Sequence, residues 1–522
     1  MSAVPEIVRA ALGSGLLVPP PPHRWPAVAR GLGSGAPGFV TLLRVAAARA
    51  PGRIALVDDE GALTYGDLLA EVGAAATALH RSHGVAPGET VGVLCRNGRR
   101  FVVALLATAS LGADVLLLNT DFRGRALAAS LEGHAVRLVI ADEEFVPALD
   151  EIPETTIASS ALRDRWGTVD PAPREGRLIL LTSGTTGTPR GVPRDPAPST
   201  LLGMTASVIA RTGAHVGYRT AVAVPFFHAF GLAALALTLG LGGTVITQSR
   251  FDPAVALDRA ATHRADALMV VPAMLARILE AAPPESVPPV VLSGGSALLP
   301  ALADRFTARF GGVLFNGYGS SEVALATLAT PDDLLRAPGT VGRPVAGATV
   351  RVLDDDGAPV PTGITGRIFV GGRPAVGRYT GGPDKARVGA LIATGDLGHL
   401  DRHGLLHVAG RDDDMIVSGG ENVYPRAVEN ALAAHAGVAD SCALGVADAQ
   451  YGQRLVALVE TADPARPTGD ALRDYLRGSL SRFEQPRDIH FVAAVPRNAA
   501  GKVDRRAAAA LLATLDPEGA AR

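Results

Sequence analysis

Residues 178–191 have the sequence LILLTSGTTGTPRG, in which an apolar run leads directly into a loop of glycines and hydroxyl-bearing residues. Glycine permits positive φ and close backbone approach, and the hydroxyl and amide groups of such a loop can hydrogen-bond phosphate oxygens. Arg190 adds a positive charge. The loop lacks the G-x-x-x-x-G-K-[ST] pattern, and Pro189 prevents an immediate helix, so it differs from an ordinary P-loop. It nevertheless predicts a phosphate-binding site.

Further segments could complete a nucleotide site. Residues 316–322, NGYGSSE, follow a predicted strand. Residues 291–298, VLSGGSAL, place two glycines after another predicted strand, where a flat purine could lie against the backbone at the carboxyl edge of a sheet. Asp396, in a Thr-Gly-Asp sequence, could accept hydrogen bonds from two ribose hydroxyls, and Arg411 could donate to them. Taken singly, a tight βα turn and a turn-capping aspartate are ordinary alternatives.

Two segments contain groups that could act on a reacting centre. Residues 496–502, PRNAAGK, end at Lys502, and residues 224–231, VPFFHAFG, contain Phe227 and His228. On their own, a solvated loop lysine and a buried histidine satisfied by its neighbours are the default interpretations. The rest of the pattern decides between these interpretations and a catalytic role.

Together these motifs resemble those of the adenylate-forming superfamily of acyl-CoA synthetases, peptide-synthetase adenylation domains and luciferases. TSGTTGTPRG is similar to the phosphate-binding signature of that superfamily, and the other motifs follow in its order from about Phe39 to Arg506. Within that superfamily the sequence resembles a fatty-acyl-CoA synthetase-like member. It implies that ATP and Mg²⁺ convert a carboxylic acid into an acyl adenylate, and that coenzyme A then displaces AMP.

The resemblance also implies roles for individual residues. Lys502 reaches the α-phosphate and the substrate carboxylate, Glu322 holds Mg²⁺, and His228 completes the catalytic set. One carboxylate suffices for Mg²⁺, because the ion keeps water and phosphate oxygens as its other ligands. Tyr318 stacks on adenine, and Ser321 contacts the α-phosphate in place of the usual threonine. The expected nucleotide-binding residues are Thr182, Ser183, Gly184, Thr185, Thr186, Gly187, Arg190, Gly294, Gly295, Ser296, Asn316, Gly317, Tyr318, Gly319, Ser321, Asp396 and Arg411.

Residues 411–429, RDDDMIVSGGENVYPRAVE, resemble the hinge region of the superfamily. By this resemblance Asp413 is the hinge about which a small domain rotates between the two half-reactions. Gly419 and Gly420, together with Phe227 and His228, line the channel for the thiol and the acyl group. Arg190 stands where the superfamily usually has lysine, which keeps the charge and changes the hydrogen-bonding geometry.

The elements that must position these residues alternate in type. Residues 64–80 have the pattern of a capped amphipathic helix, and residues 90–94 that of a strand. Strand and helix patterns alternate on to residue 118 and again over residues 221–280, as in a doubly wound parallel sheet. Residues 339–410 contain short β-runs separated by Gly, Pro and Asp, which favours a small antiparallel barrel or sheet. Helices and strands alternate again beyond Met415. The predicted fold is therefore α/β, with a large N-terminal domain of doubly wound parallel sheets, a small β-barrel-like subdomain and a small mobile α+β C-terminal domain.

The predicted domain boundaries follow from these changes in the pattern of helices and strands. We expect a proline-rich leader at residues 1–36, strapped to the surface, and an AMP-binding domain at residues 37–412. Within that domain we expect the β-rich subdomain at residues 338–410. The mobile C-terminal domain is then residues 413–522. A chain of 522 residues is long enough for several domains.

Composition excludes several classes of protein. The net charge of −2 gives no electrostatic reason for binding nucleic acid or an anionic membrane. The two cysteines, Cys95 and Cys442, suggest neither a disulfide framework nor a thiolate metal site, which fits a cytoplasmic protein. Residues 220–249 lack Asp, Glu, Lys and Arg and are long enough to cross a bilayer. Pro225 and Gly242-Gly243 favour a buried strand, helix and strand over an integral membrane segment.

Several alternatives stay open at this level. The acceptor could be an acyl-carrier protein instead of coenzyme A, and a luciferase-like oxygenase shares the fold. From other classes, a non-catalytic nucleotide sensor would not need Lys502, and a membrane acyl transporter would partition with lipid. The apolar residues 224–231 and 270–275 favour a hydrophobic acid, either a medium- or long-chain fatty acid or a terpenoid or polyketide-type natural product. The sequence also leaves a homodimer open.

Overall fold

The computed structural model describes most of the chain. The described residues are 4–33, 38–122, 124–149, 155–162, 172–182, 190–194, 202–281, 286–320, 323–372, 385–418, 421–448, 452–462, 467–481, 484–498 and 501–515.

Helices and strands alternate through most of the described chain. The α-helices are α1 (Val4–Gly13), α2 (Trp25–Gly33), α3 (Phe39–Arg49), α4 (Tyr65–Arg81), α5 (Arg99–Ser110), α6 (Gly124–Glu132), α7 (Leu202–Thr212), α8 (Ala229–Gly240), α9 (Pro253–Thr262), α10 (Pro272–Glu280), α11 (Pro300–Phe310), α12 (Pro331–Arg336), α13 (Pro425–Ala433), α14 (Gly469–Arg477) and α15 (Arg505–Leu515). Short 3₁₀ helices span Pro22–Arg24, Glu143–Leu149 and Ser159–Ala161.

The strands fall into a long early series and a shorter late one. They are β1 (Ile54–Asp58), β2 (Gly61–Thr64), β3 (Thr90–Leu94), β4 (Asp114–Leu117), β5 (Val136–Ala141), β6 (Thr155–Ala158), β7 (Leu178–Thr182), β8 (Arg190–Arg194), β9 (Arg219–Val222), β10 (Thr244–Ile246), β11 (Ala267–Val270), β12 (Val290–Ser293), β13 (Leu314–Ser320), β14 (Ala324–Ala329), β15 (Thr340–Pro344), β16 (Ala348–Leu353), β17 (Gly366–Gly372), β18 (Arg387–Val388), β19 (Leu391–Leu400), β20 (Leu406–Arg411), β21 (Ile416–Ser418), β22 (Glu421–Val423), β23 (Val438–Asp448), β24 (Gly452–Thr461) and β25 (Asp488–Val492).

The large domain contains two sheets with parallel centres. Within the described ranges, one has six strands in the order β6-β5-β3-β4-β7-β8, and the other has fourteen in the order β16-β17-β19-β20-β15-β14-β13-β12-β11-β9-β10-β1-β2, with β18 on β19. Strands such as β4 and β11 are buried along their whole length, as expected for parallel strands covered on both faces. The predicted doubly wound α/β core is confirmed.

Helix α5 links the two sheets of the large domain. Its side chains are buried all around the helix from Phe101 to Ser110, which is the pattern of a helix that lies inside a core. The neighbouring helix α4 begins as predicted, because the Thr64 side chain accepts a hydrogen bond from the backbone N–H of Asp67. Residues from both sheets therefore pack into one hydrophobic core.

The β-rich part and the small domain complete the fold. Strands β15 to β20 pair antiparallel and continue the fourteen-stranded sheet through β14. In the described part of the small domain, β22-β21-β24-β23 form an antiparallel sheet, and β25 pairs parallel with β24. Helices α13 and α14 pack on one core of this domain and α15 on another.

Residues 220–249 form the buried strand, helix and strand that the sequence favours. They correspond to β9, α8 and β10, and β10 pairs parallel with both β9 and β1. Across the ranges described above, we find no helix with both the length and the apolarity needed to cross a bilayer.

Candidate active site

Loops from several parallel strands meet at one edge of the fourteen-stranded sheet. Strands β9, β11, β12 and β13 are parallel neighbours, so their carboxyl ends lie together. The segments that follow the first three are residues 223–228, 271–273 and 294–299, while β13 itself continues through Tyr318. Such an edge is where ligands bind in open α/β sheets. It contains most of the predicted site residues that the structure describes.

Tyr318, Asp396 and Arg411 form one hydrogen-bonded group. The Tyr318 hydroxyl donates to Oδ2 of Asp396 at 2.6 Å. Asp396 faces Arg411 across the paired strands β19 and β20, with Oδ1 3.5 Å from Nη1. Burial and the charge of Asp396 raise the pKa of Tyr318, so the phenol stays protonated and acts as a donor. A carboxylate and a guanidinium held in this way can bind a hydroxylated ring such as ribose.

Arg411 also contacts the predicted hinge residue. Its Nε and Nη2 donate to the two carboxylate oxygens of Asp413 at 2.9 and 3.2 Å. Burial alone would raise the pKa of Asp413, but the hydrogen bond and charge of Arg411 hold it below its ordinary value. Asp413 lies in the turn between β20 and β21. Its role as a hinge stays a prediction.

Neighbouring segments approach closely at the glycines after β12 and in β13, and we call the edge at Gly294, Gly295 and Gly317 the glycine cleft. A Cβ on Gly294 would lie 3.4 Å from the Phe230 ring and 3.3 Å from the carbonyl oxygen of Gly317. Gly295 has φ of +82°, which favours glycine. A Cβ on Gly319 would lie 1.8 Å from the carbonyl oxygen of Ala324, so no other residue fits there without movement of the backbone. Glycine at these positions lets a ligand at the sheet edge approach the backbone closely.

Polar atoms beside the cleft lack partners. The Oγ atoms of Ser293 and Ser296 are buried and have no hydrogen-bond partner among the described residues. Buried hydroxyls nearly always have a partner, so a ligand group or water is expected at these atoms. Asn316 differs, because its Nδ2 donates to the carbonyl oxygen of Thr340 at 3.2 Å. That amide nitrogen is therefore used within the fold, although Asn316 was predicted to bind the nucleotide.

The segment that contains Lys502 lies on the large domain. A Cβ on Gly501 would be 2.8 Å from Cγ2 of Val271, in the loop after β11. Arg497 fixes the segment from the other side, since it donates to both carboxylate oxygens of Asp440 at 2.9 and 2.8 Å and to the carbonyl oxygen of Gly501 at 2.7 Å. The structure thus brings Lys502 to the same sheet edge as the cleft.

His228 lies at the start of α8, with its ring centroid 4.4 Å from that of Phe227. Burial, with a smaller contribution from the positive charge of Lys502, lowers the pKa of His228 to about 3. Its Nε2 is buried and finds no hydrogen-bond partner in the described part of the chain. His228 is therefore neutral at physiological pH, and its nitrogen is available to a ligand.

We expect the His228 ring to stay neutral from about pH 5 to pH 8, whereas a histidine in a model peptide titrates near about 6.5. The measurement is the pH dependence of the ring carbon resonances by NMR, with His228→Gln used for assignment. Lys502→Ala should raise the midpoint only part of the way, because burial is the main cause of the low pKa. A midpoint near 6 in the intact protein would show that the ring is solvated.

Asn97 positions the His228 loop and was not identified from the sequence. It is buried in the turn before α5. Its Nδ2 donates to the carbonyl oxygen of Val224 at 2.8 Å, and its Oδ1 accepts from the backbone N–H of Phe226 at 2.8 Å. One amide thus clamps the loop to the other sheet. A polar residue between β3 and an apolar helix is the available sequence signal.

Arg426 is a second residue that sequence reasoning missed. It follows Pro425 at the start of α13, close to the predicted hinge. Its Nε is buried without a hydrogen-bond partner within the described ranges. Burial lowers the pKa of Arg426, while the charges of Glu429 and Asp396 oppose that effect. The charge of Arg426, on the small domain, therefore interacts with that of the carboxylate predicted to bind ribose.

Some predicted residues fall outside the described ranges. For Thr182 and Arg190 only the backbone is described, and they pair with each other across β7 and β8. No cluster of potential metal ligands occurs among the described residues, and the predicted Mg²⁺ ligand is not one of them. The predicted residues outside the described ranges are Ser183, Gly184, Thr185, Thr186, Gly187, Ser321, Glu322, Gly419 and Gly420.

Comparisons with known proteins agree with this arrangement. The model of the AMP-binding enzyme family matches residues 43–380, and that of the AMP-binding enzyme C-terminal domain matches residues 427–502. Sulfoacetate–CoA ligase of Cupriavidus necator is 33% identical over 507 residues, covering 90% of this chain and 96% of its own. Feruloyl-CoA synthase of Amycolatopsis is 33% identical over 463 residues, covering 85% and 92%.

A solved structure resembles the whole fold. The o-succinylbenzoate coenzyme A synthetase of Bacillus subtilis, in complex with ATP and a magnesium ion, matches with a TM-score of 0.80 and 28% identity. The match covers 89% of this chain and 98% of that one. The chain therefore belongs to the AMP-binding enzyme family, the adenylate-forming superfamily, and is one of its acid–thiol ligases.

Proposed function

We propose that this protein uses ATP and Mg²⁺ to adenylate a hydrophobic carboxylic acid whose tail is uncharged and transfers the acyl group to coenzyme A. The observation that supports this most directly is the position of the Lys502 segment against Val271, beside His228 and the glycine cleft. A cation held there can reach a group bound at the sheet edge. The relatives that use coenzyme A and the ATP–magnesium complex of the similar structure favour the same co-substrates.

The residues of the site supply charge and position. ATP provides the leaving group for a poor electrophile, and Mg²⁺, where Glu322 is predicted to bind it, reduces the charge on the phosphates. Asp396 and Arg411 hold the ribose, with the phenol of Tyr318 fixing the Asp396 carboxylate. Lys502 stabilises the charge that develops between the acid and the α-phosphorus. The small domain then turns about Asp413 to admit the thiol.

The described residues around the cleft favour an acid with an uncharged tail. In residues 224–231, 270–275 and 292–296, all of which the structure describes, His228 is the sole ionisable side chain, and its pKa keeps it neutral. Burying a second anionic group there would cost several kcal/mol without a partner. Two of the similar proteins are named for sulfoacetate and o-succinylbenzoate, which have a second anionic group. A third is named for feruloyl, which has no second anionic group.

A panel of acids tests this proposal. We expect kcat/KM for ferulic acid, indoleacetic acid, a terpenoid acid or a medium-chain fatty acid to exceed that for sulfoacetate or o-succinylbenzoate by about 100-fold or more. The measurement is AMP release in the presence and absence of coenzyme A. Faster turnover of the dianionic acids would contradict the substrate class. Acyl-adenylate formation with no transfer to coenzyme A would contradict the acceptor and leave adenylation intact.

A further inference from the structure

The amino-terminal part of the chain has a different charge from the rest. Residues 1–57 contain six arginines, no lysine and a single acidic residue, Glu6, although the whole chain has a net charge of −2. The remaining residues have more acidic than basic side chains. The net charge of the whole chain therefore does not show this local excess of positive charge. A local excess of this kind attracts an anionic surface.

The one acidic residue of this segment is used inside the fold. Oε1 of Glu6 accepts a hydrogen bond from Nε of Arg211 at 2.9 Å, and Oε2 accepts one from the Ser207 hydroxyl. This ion pair joins α1 to α7. The negative charge of Glu6 is therefore paired with Arg211 and does not offset the positive charge of the arginines in the leader.

Several arginines of residues 1–57 donate to neutral groups. Arg9 is exposed. Nε of Arg24 donates to the neighbouring His23 ring, Nε of Arg30 donates to the carbonyl oxygen of Pro26, and Arg49 donates to the carbonyl oxygen of Val18. A carbonyl or imidazole partner does not neutralise a guanidinium. The face that the leader presents is therefore cationic.

The same segment exposes large apolar side chains. Seven of the fifteen exposed large apolar side chains of the described residues lie in the leader, and we call them the leader surface: Val8, Leu12, Leu16, Leu17, Val18, Trp25 and Leu32. Leu12 is 75% exposed and Trp25 is 55% exposed. So concentrated a set of apolar side chains on a soluble domain marks an interaction site.

Both helices of the leader pack on the large domain. Helix α1 packs against α7, α2 packs against α3, and the Arg49 contact with Val18 secures the turn between the two helices. The side chains of the leader surface and of Arg9 and Arg30 are exposed to solvent. Apolar and aromatic groups beside arginines on helices lying flat are the features of segments that bind at a membrane interface.

We propose that the leader surface docks the enzyme on anionic lipid membranes, lying in the interface without crossing it. A lipid surface fits better than a protein partner, because side chains that are 40% to 75% exposed protrude instead of lining a groove. The arginines match anionic headgroups, and the leucines and Trp25 match the acyl boundary. This inference does not depend on which acid the enzyme uses.

The fluorescence of Trp25 reports contact between the leader surface and a membrane. The chain has two tryptophans, and Trp166→Phe leaves Trp25 as the single emitter in an otherwise complete enzyme. We expect phosphatidylglycerol-containing vesicles to shift Trp25 emission to shorter wavelength and to sediment the enzyme, with both effects weakened by salt because screening is strong beyond about 10 Å at 0.1 M. Pure phosphatidylcholine vesicles should have a much smaller effect.

A matched pair of variants separates docking from general surface charge. Leu12→Glu combined with Leu17→Glu should lower vesicle binding by about tenfold or more, since it removes apolar contact and adds negative charge. Leu335→Glu changes a leucine that is 78% exposed on α12, away from the leader, and should bind vesicles as the parent does. Acid-dependent AMP formation in solution should be unchanged in both, which shows that they are folded.

Three outcomes would overturn the proposal. They are no binding of the parent enzyme to anionic vesicles, equal binding to neutral vesicles, and equal loss of binding in Leu335→Glu. Binding of a purified acidic carrier protein that needs Leu12 and Leu17, without any vesicle binding, would assign the leader surface to a protein partner instead.

Discussion

Lys502→Ala is expected to slow acyl-adenylate formation by about 100- to 1000-fold, equivalent to about 3–4 kcal/mol of transition-state stabilisation. The physical reason is that negative charge is shared between the acid and the α-phosphorus during the reaction, and a cation at the sheet edge stabilises it. The Lys502 segment is held there by the contact of Gly501 with Val271 and by the Arg497–Asp440 pair. The measurement is acid-dependent exchange of pyrophosphate into ATP.

The second half-reaction of Lys502→Ala is the control for the loss expected in the first half-reaction. When a synthetic acyl adenylate is supplied, Lys502→Ala should transfer the acyl group to coenzyme A at a rate within about fivefold of the parent, because Lys502 acts on the first half-reaction. Lys502→Arg should recover part of the exchange rate, since it keeps the charge with a different geometry. Equal losses in both half-reactions would indicate a folding defect, and full exchange activity would remove Lys502 from the catalytic residues.

Much of the fold follows from local sequence, and particular elements show why. Strand β3 has the bounds that its apolar run predicts, and α4 begins at Thr64, whose side chain caps it. The buried segment at residues 220–249 also folds as expected, because Pro225 and the Gly242-Gly243 pair interrupt any long helix. In each case residues near one another in sequence determine the outcome.

Other features depend on long-range contacts. The hydrogen bond between Tyr318 and Asp396 joins residues 78 positions apart. The low pKa of His228 arises from burial and from Lys502, which belongs to another domain. Asn97 and Arg426 occur outside any recognisable motif. Asn97 matters because it binds the His228 loop of the other sheet, and Arg426 because its charge interacts with that of Asp396. Both interactions are visible only in the folded structure.

The leader also has structure that depends on contacts with distant parts of the chain. Its prolines and glycines predict a segment strapped to the surface, and the structure adds that this segment contains helices α1 and α2, with Ala10 and Ser14 buried. Helices of about ten residues are marginal in isolation, so packing against α7 and α3 stabilises them. Short-range pattern alone could not reveal that contact.

Trapping the docked lysine segment should abolish transfer to coenzyme A altogether. A Cβ on Gly501 would lie 3.9 Å from Cβ of Val271, close to the usual separation in a disulfide of about 3.8 Å. Gly501 has φ of +70°, which strains a cysteine there, so every rate is compared with that of the Gly501→Cys single variant. Replacing Val271 by cysteine also removes the methyl group that would lie 2.8 Å from that Cβ. The native Cys95 and Cys442 are both buried and should not compete.

The most direct test is therefore product formation by the Val271→Cys, Gly501→Cys enzyme before and after reduction. We expect the oxidised enzyme to form about one acyl adenylate per active site and no acyl-CoA, because the small domain cannot leave the large one. Reduction with dithiothreitol should restore acyl-CoA synthesis, and each single-cysteine variant should be insensitive to the oxidant. Acyl-CoA synthesis at the same rate in the oxidised and reduced enzyme would contradict the assignment of this docked position to adenylation.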